Sequence, residues 1–172
     1  ESRGLGDVYK RQGFDDEFQG DMVPRVAYMG DPYSCAFSGK ALTFFSSRNL
    51  ASPELLEQRT IEERIDSVFY SDEYAAAIVR NTNGEYGSRL EVYKKDGTHV
   101  LSKEFNFEYT HADFDGDLII LYNEDSCRIY NMSGTEKFDA TFDFPVSRIR
   151  KGRFPGTLVV TGPQQMRELK LH

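Results

Sequence analysis

Asp113, Asp115 and Asp117, followed by Glu124, have the carboxylate spacing with which a calcium loop begins. That motif needs Gly at its sixth position, where this chain has Leu118, and helical flanks, where it has the strand-like run LIILY. Asp117 also takes the same place as Asp31 and Asp72, beside inter-strand turns, so turn chemistry accounts for these acids better than a metal does. The sequence implies no cofactor. Arg148, Arg150, Lys151 and Arg153 form a basic cluster. At strand spacing Arg148 and Arg150 share a face that could meet a phosphate or an acidic partner, which makes these four residues the candidate binding surface. The same charges would also serve as a solvated strand edge that resists aggregation.

Other reactive residues are dispersed. His99, His111 and His172 fall in a turn, a loop and the terminus, and no G-x-S-x-G elbow, phosphate loop or HExxH occurs. Cys35 and Cys127 lie far apart among strand formers without a metal-like spacing, as buried free thiols do. Tyr86 and Tyr93 are aromatics that a binding face could use. The formal net charge is -7, and without residues 1–12 it is -8, from 18 basic and 26 acidic residues. So acidic a chain lacks the clustered Lys and Arg of a general nucleic-acid binder. No apolar run is long enough for a membrane-spanning helix, and no signal peptide is visible.

The elements that must position these residues come from a repeat. Within Arg89 to Phe107 and Arg128 to Phe144, residues from Glu91 onward align without a gap at an offset of 37, pairing Tyr93 with Tyr130, Gly97 with Gly134 and Phe105 with Phe142. Each copy reads as strand, Gly-containing turn and strand, which is a β-hairpin. Leu90 to Tyr93 should pair with Val100 to Phe105, and Ile129-Tyr130 with Lys137 to Phe142, around turns at Asp96-Gly97 and Ser133-Gly134 that need φ > 0. The run YAAAIVR from Tyr74 to Arg80 suits a strand buried on both faces.

Extending the pattern places Val26, Val68, Ala112 and Ile149 at equivalent points, 42, 44 and 37 residues apart. That is the blade length of a β-propeller with four strands per blade. The expected fold is all-β, a partial β-propeller-like array of four-stranded antiparallel blades, about three and a half of them. With no Trp in the chain, any WD40-like kinship is architectural. One segment conflicts: Ser52-Pro53-Glu54 has the N-cap, N1 proline and acidic first turn of a helix, whereas the repeat demands an outer strand at Leu55 to Ile61. The repeat is preferred, because tertiary context overrides propensity.

Val68-Phe69-Tyr70 with Glu73-Tyr74, Leu90-Glu91-Val92-Tyr93 with Asp96-Gly97, Gly116-Asp117 through Asn123, and Ile129-Tyr130-Asn131 with Gly134 carry a wider likeness. Over Ile65 to His172 the chain resembles the C-terminal part of a bacterial domain-of-unknown-function family, number 5711, with weaker similarity back to Gly13. The resemblance implies a propeller-like domain that often follows an N-terminal transmembrane anchor. It carries no catalytic residue. The function it suggests is a non-catalytic binding or scaffold module at the cell membrane, on its extracytoplasmic side. Its partner would be a protein or cell-envelope ligand, with no nucleic acid, and the membrane would be met only through the anchor. The competing class is an enzyme, a propeller hydrolase or lyase whose site is completed by further N-terminal blades. If the array is incomplete, Phe37, Phe44, Phe45, Leu158, Val159 and Val160 should lie on open sheet faces.

Residues 13–172 are thus read as the C-terminal part of the propeller-like domain, with Gly13 to Met22 as the tail of an earlier strand and a polar turn. Residues 1–12 stand apart from it. Ser2 to Gln12, SRGLGDVYKRQ, resembles the in-frame translation of a transposon-end sequencing adapter, which implies native sequence from near Gly13. Removing residues 1–12 should therefore leave the thermal melt of the chain unchanged, as differential scanning calorimetry would show.

Overall fold

Short β-branched and aromatic runs separated by Gly, Asp and Ser turns leave each segment only one way to satisfy its backbone, by pairing with the next. In the computed structural model, which describes residues 25–49, 51–81 and 84–171, every described element is a strand. Two compact units result, one ending at Asn106 and the other starting at Phe107. The adapter-like residues 1–12 and the segment Gly13 to Met22 lie outside the described residues.

In the first unit, β1 (Arg25–Tyr28), β2 (Tyr33–Phe37), β3 (Ala41–Ser46) and β4 (Glu54–Thr60) make one antiparallel sheet in sequence order. A second follows from β5 (Ile65–Tyr70), β6 (Tyr74–Arg80), β7 (Ser88–Lys94) and β8 (His99–Phe105). The helix-like segment after Ser52 is strand β4, because pairing with β3 from Ala41↔Thr60 to Ser46↔Glu54 satisfies its backbone. Only Leu56 of this strand packs against the core. The two sheets meet face to face. Ala27, Cys35, Leu42 and Phe44 of the first, all fully buried, pack on Val68, Ala75, Ala77 and Tyr93 of the second. Ala75 to Val79 are fully buried, as the uninterrupted apolar run requires.

In the second unit, β9 (His111–Asp115), β10 (Leu118–Tyr122), β11 (Ser126–Asn131) and β12 (Glu136–Thr141) form a four-stranded sheet. A three-stranded sheet contains β13 (Arg148–Lys151), β14 (Thr157–Thr161) and β15 (Met166–Lys170). Ile120, Cys127 and Ile129 pack with Ile149, Leu158 and Val160.

The predicted hairpins pair in the expected partners, and their turns repeat bond for bond. Lys94 N–H donates to Thr98 O (2.8 Å) and Gly97 N–H to Lys94 O (2.8 Å); Asn131 N–H donates to Thr135 O (3.0 Å) and Gly134 N–H to Asn131 O (3.0 Å). Gly97 and Gly134 have φ of 90° and 81°.

Strand alternation corrects the expected open faces. Phe37 and Phe44 are 0% exposed and face the second sheet, while Phe45, one residue on, faces away. Leu158 and Val160 likewise point into the second unit's core, and Val159 points out. Tyr93, expected as an exposed aromatic, is buried against Phe44 with ring centroids 5.8 Å apart. Tyr86 is exposed.

Gly97 is needed for space as well as for conformation. A Cβ there would lie 2.5 Å from Glu57 Cβ and 3.1 Å from Phe44 Cδ2, whereas one at Gly156, also at positive φ, would meet nothing within 4 Å. Gly97→Ala should therefore cost about 3 kcal/mol, from left-handed backbone strain plus overpacking, and Gly156→Ala about 1 kcal/mol from strain alone. Urea denaturation of the two variants should reproduce that order.

Candidate functional site

The most closely knit polar group surrounds Glu91, on the second sheet. Period-two alternation puts Arg89, Glu91 and Tyr93 on one face of β7, and the β7–β8 register sets Ser102 opposite Glu91 and His99 opposite Tyr93. A register shift between Val92 and Tyr93 brings His99 close enough to reach the same carboxylate as Ser102. Glu91 is only 8% exposed, so its charge must be met inside the fold.

Three side chains meet it. Arg89 Nε donates to Glu91 Oε1 at 2.8 Å, while Arg89 Nη1 donates to Glu63 Oε1 at 2.8 Å. Ser102 Oγ lies 2.7 and 2.6 Å from the two Glu91 oxygens, and His99 Nε2 lies 2.9 Å from Glu91 Oε2. The hydrogen bond from Arg89 holds the Glu63 carboxyl below its ordinary range, and Glu63 in turn raises the Arg89 guanidinium. Burial, aided by the Glu91 charge, pushes the Tyr93 phenol up to about 12. Arg59 closes the far side, with its guanidinium 5.7 Å from the Tyr93 ring centroid and Nε donating to Gly97 O at 3.0 Å.

Ser, His and Glu side by side suggest a nucleophilic triad, but the count of donors and acceptors does not match one. An ionised carboxylate only accepts, so the Ser102 hydroxyl proton points at Glu91. Toward His99 Nε2, 3.1 Å away, Ser102 Oγ is therefore an acceptor, as is the Glu91 oxygen. Nε2 faces two acceptors and must carry the hydrogen. A protonated Nε2 cannot take a proton from Ser102, which general-base activation would require. The cluster is a saturated electrostatic clasp. Its sequence signal was an acid set between the apolar Leu90 and Val92, with His99 and Ser102 across the hairpin.

The structure places the sequence-predicted basic residues elsewhere. Arg148, Arg150 and Lys151 are exposed on the edge strand β13, around the buried Ile149, and Arg153 is exposed in the turn that follows. The Asp115 carboxylate accepts from Lys151 N–H, and Asp113 accepts from Phe114 N–H at 2.9 Å. Asp113 reaches solvent but is crowded. That partial desolvation raises its carboxyl, with a further push from Asp115 and opposing pulls from the Phe114 hydrogen bond, Arg150 and His111. Asp113 and Asp115 are thus occupied by backbone and by basic neighbours, and the described residues include no set of three or more His, Cys, Asp or Glu placed to hold a metal. His99 joins the Glu91 cluster, and His111 packs edge-on against Tyr122, centroids 4.9 Å apart. His172 lies outside the described residues. Cys35 and Cys127 are buried free thiols, raised by desolvation, Cys127 to about 12.

Sheets of this size, each made of consecutive antiparallel strands, define an all-β, partial β-propeller-like array. Residues 11–171 match the family of unknown function DUF5711, and the chain belongs to that family. Solved structures share the fold at low identity. The computationally designed Ika4 protein is 8% identical with a TM-score of 0.56, over 90% of this chain and 94% of that one. Hydrazine synthase from Kuenenia stuttgartiensis is 7% identical with a TM-score of 0.52, over 91% and 46%. Hsv2 from Kluyvelomyces marxianus is 11% identical with a TM-score of 0.51, over 81% and 43%. The chain thus spans less than half the length of the last two. No curated protein matches its sequence.

A clasp built this way makes Glu91 the member that matters most. Glu91→Gln should cost about 2 kcal/mol, since it removes the buried charge on which Arg89, Ser102 and His99 converge while Arg89 keeps Glu63, and Ser102→Ala about 1 kcal/mol. Equilibrium unfolding in urea measures both, and a loss below about 0.5 kcal/mol for Glu91→Gln would mean the carboxylate is not structural.

Proposed function

We propose that this chain is a non-catalytic binding or scaffold module of a bacterial protein anchored in the membrane, with the propeller-like domain on the extracytoplasmic side. Its partner is a protein or cell-envelope ligand of acidic character, met by Arg148, Arg150, Lys151 and Arg153. The observation that carries this reading is the contrast between the two polar sites. The Ser-His-Glu group is closed on itself, with the serine proton committed to a carboxylate. The four cations, on a chain that is otherwise acidic, are exposed together on and just beyond an edge strand. Exposed charges of one sign steer an oppositely charged partner and set its orientation. Among the described residues no helix is long and apolar enough to cross a membrane; the anchor in this reading is the one the family resemblance implies.

Co-sedimentation with purified bacterial cell envelopes tests this. The chain should bind, and the double variant Arg148→Glu, Arg150→Glu should bind about tenfold more weakly, with the difference shrinking at high salt. Equal binding by both proteins would remove the basic edge from the proposal. Labelling of Ser102 by a fluorophosphonate probe would put the enzyme reading ahead of this one.

A further inference from the structure

The outward face of the first sheet has a counterpart in the same unit, and that counterpart is covered. On the second sheet, Val68 stands opposite Ala77, Tyr70 opposite Ala75, and Ala75 opposite Tyr93. On the first, Val26 stands opposite Ala36, Tyr28 opposite Ser34, and Ser34 opposite Phe45. The two sets superpose position by position. Val26 stands for Val68 and Ala36 for Ala77, Tyr28 stands for Tyr70, Ser34 replaces Ala75, and Phe45 replaces Tyr93.

The second sheet's set is the surface that receives the first sheet. Tyr70 meets Phe37 with ring centroids 6.4 Å apart, and Tyr93 meets Phe44. The first sheet's set is largely uncovered, with Val26 52% and Tyr28 55% exposed, and Leu55 beside Phe45 57% exposed. Large apolar side chains grouped on one sheet face and left in water mark a surface shaped for a partner.

We propose that this outward face is a docking face for a further antiparallel β-sheet, carried by polypeptide upstream of this chain, that presents alternating apolar and aromatic side chains. The occupant follows from the register, because the equivalent face on the second sheet is filled by a sheet of that kind. A second copy of this chain does not offer the same surface at its last sheet. There the positions of Ala27, Phe37 and Phe44 are taken by Arg150, Thr161 and Glu168. The inference goes beyond ligand binding at the basic edge, which it neither needs nor affects.

Thiol labelling provides the test, since native Cys35 and Cys127 are buried. Leu55→Cys, at an exposed position, should react rapidly with a maleimide in the 172-residue chain. In the longer polypeptide that includes the natural upstream sequence it should react at least about tenfold more slowly, as burial behind a cooperative unit requires. Arg148→Cys, on the polar face, should react alike in both. Equal labelling of Leu55→Cys in the two proteins would overturn the proposal, as would a gene with no upstream coding sequence. Protection in the short chain that grows with concentration would overturn it in favour of a second copy. A cooperative melt of each variant confirms that the labelled protein is folded.

Discussion

The first unit depends on the contact between two aromatic pairs, Phe37 with Tyr70 and Phe44 with Tyr93. Hydrogen bonds complete each sheet internally, so nothing in the backbone ladder joins the two. Their association rests on apolar surface removed from water, and each aromatic pair adds about 1 kcal/mol beyond its area. The seam also sets what its neighbours can be. Gly97 must lack a side chain because Glu57 and Phe44 already occupy the space. Ala75 and Ala77 of β6 must be small because Phe37 and Phe44 project toward that strand from the opposite sheet.

At the outer end of that seam the packing becomes polar. Glu91 shares the receiving face with Tyr93 and is too deeply placed for water to solvate it. A carboxylate in that position is tolerated only when donors replace its hydration, and Arg89, Ser102 and His99 do so. Donors from adjacent strands converge on one acceptor, which fixes the hairpin's register more tightly than apolar contact alone could. Glu63, in the segment that leads into the second sheet, is tied to the same network through Arg89.

The second unit places a charged residue at the corresponding point. Where the first sheet has Ala27 at the edge of the seam, the third has Asp113 at the equivalent point of the repeat. Acids there cannot pack, and they bond instead: Asp115 to the backbone of Lys151, and Asp113 to that of Phe114. Two of the carboxylates that suggested a calcium loop are therefore bonded to backbone amides within and between strands.

The sequence by itself determined the strands, the turns and the repeat. These are local properties: a glycine able to take positive φ, an alternation of apolar residues, and a run of Tyr74 to Arg80 too apolar for a half-exposed strand. It even prevailed over the helix-like start at Ser52, since the repeat carries information from four segments at once. What it left open was which side of each strand meets another sheet. Phe44 and Phe45 are the same residue type one position apart, and one is buried while the other is not. Alternation separates them onto two faces, but only the position of the second sheet decides which face is dry. The same holds for Glu91, His99 and Ser102. Their spacing along the chain matches no catalytic motif, and they become a site only because a shifted hairpin register folds them onto one another. Even then, both Glu91 oxygens lie within hydrogen-bond reach of the Ser102 hydroxyl, at 2.7 and 2.6 Å, which ties the serine to the carboxylate.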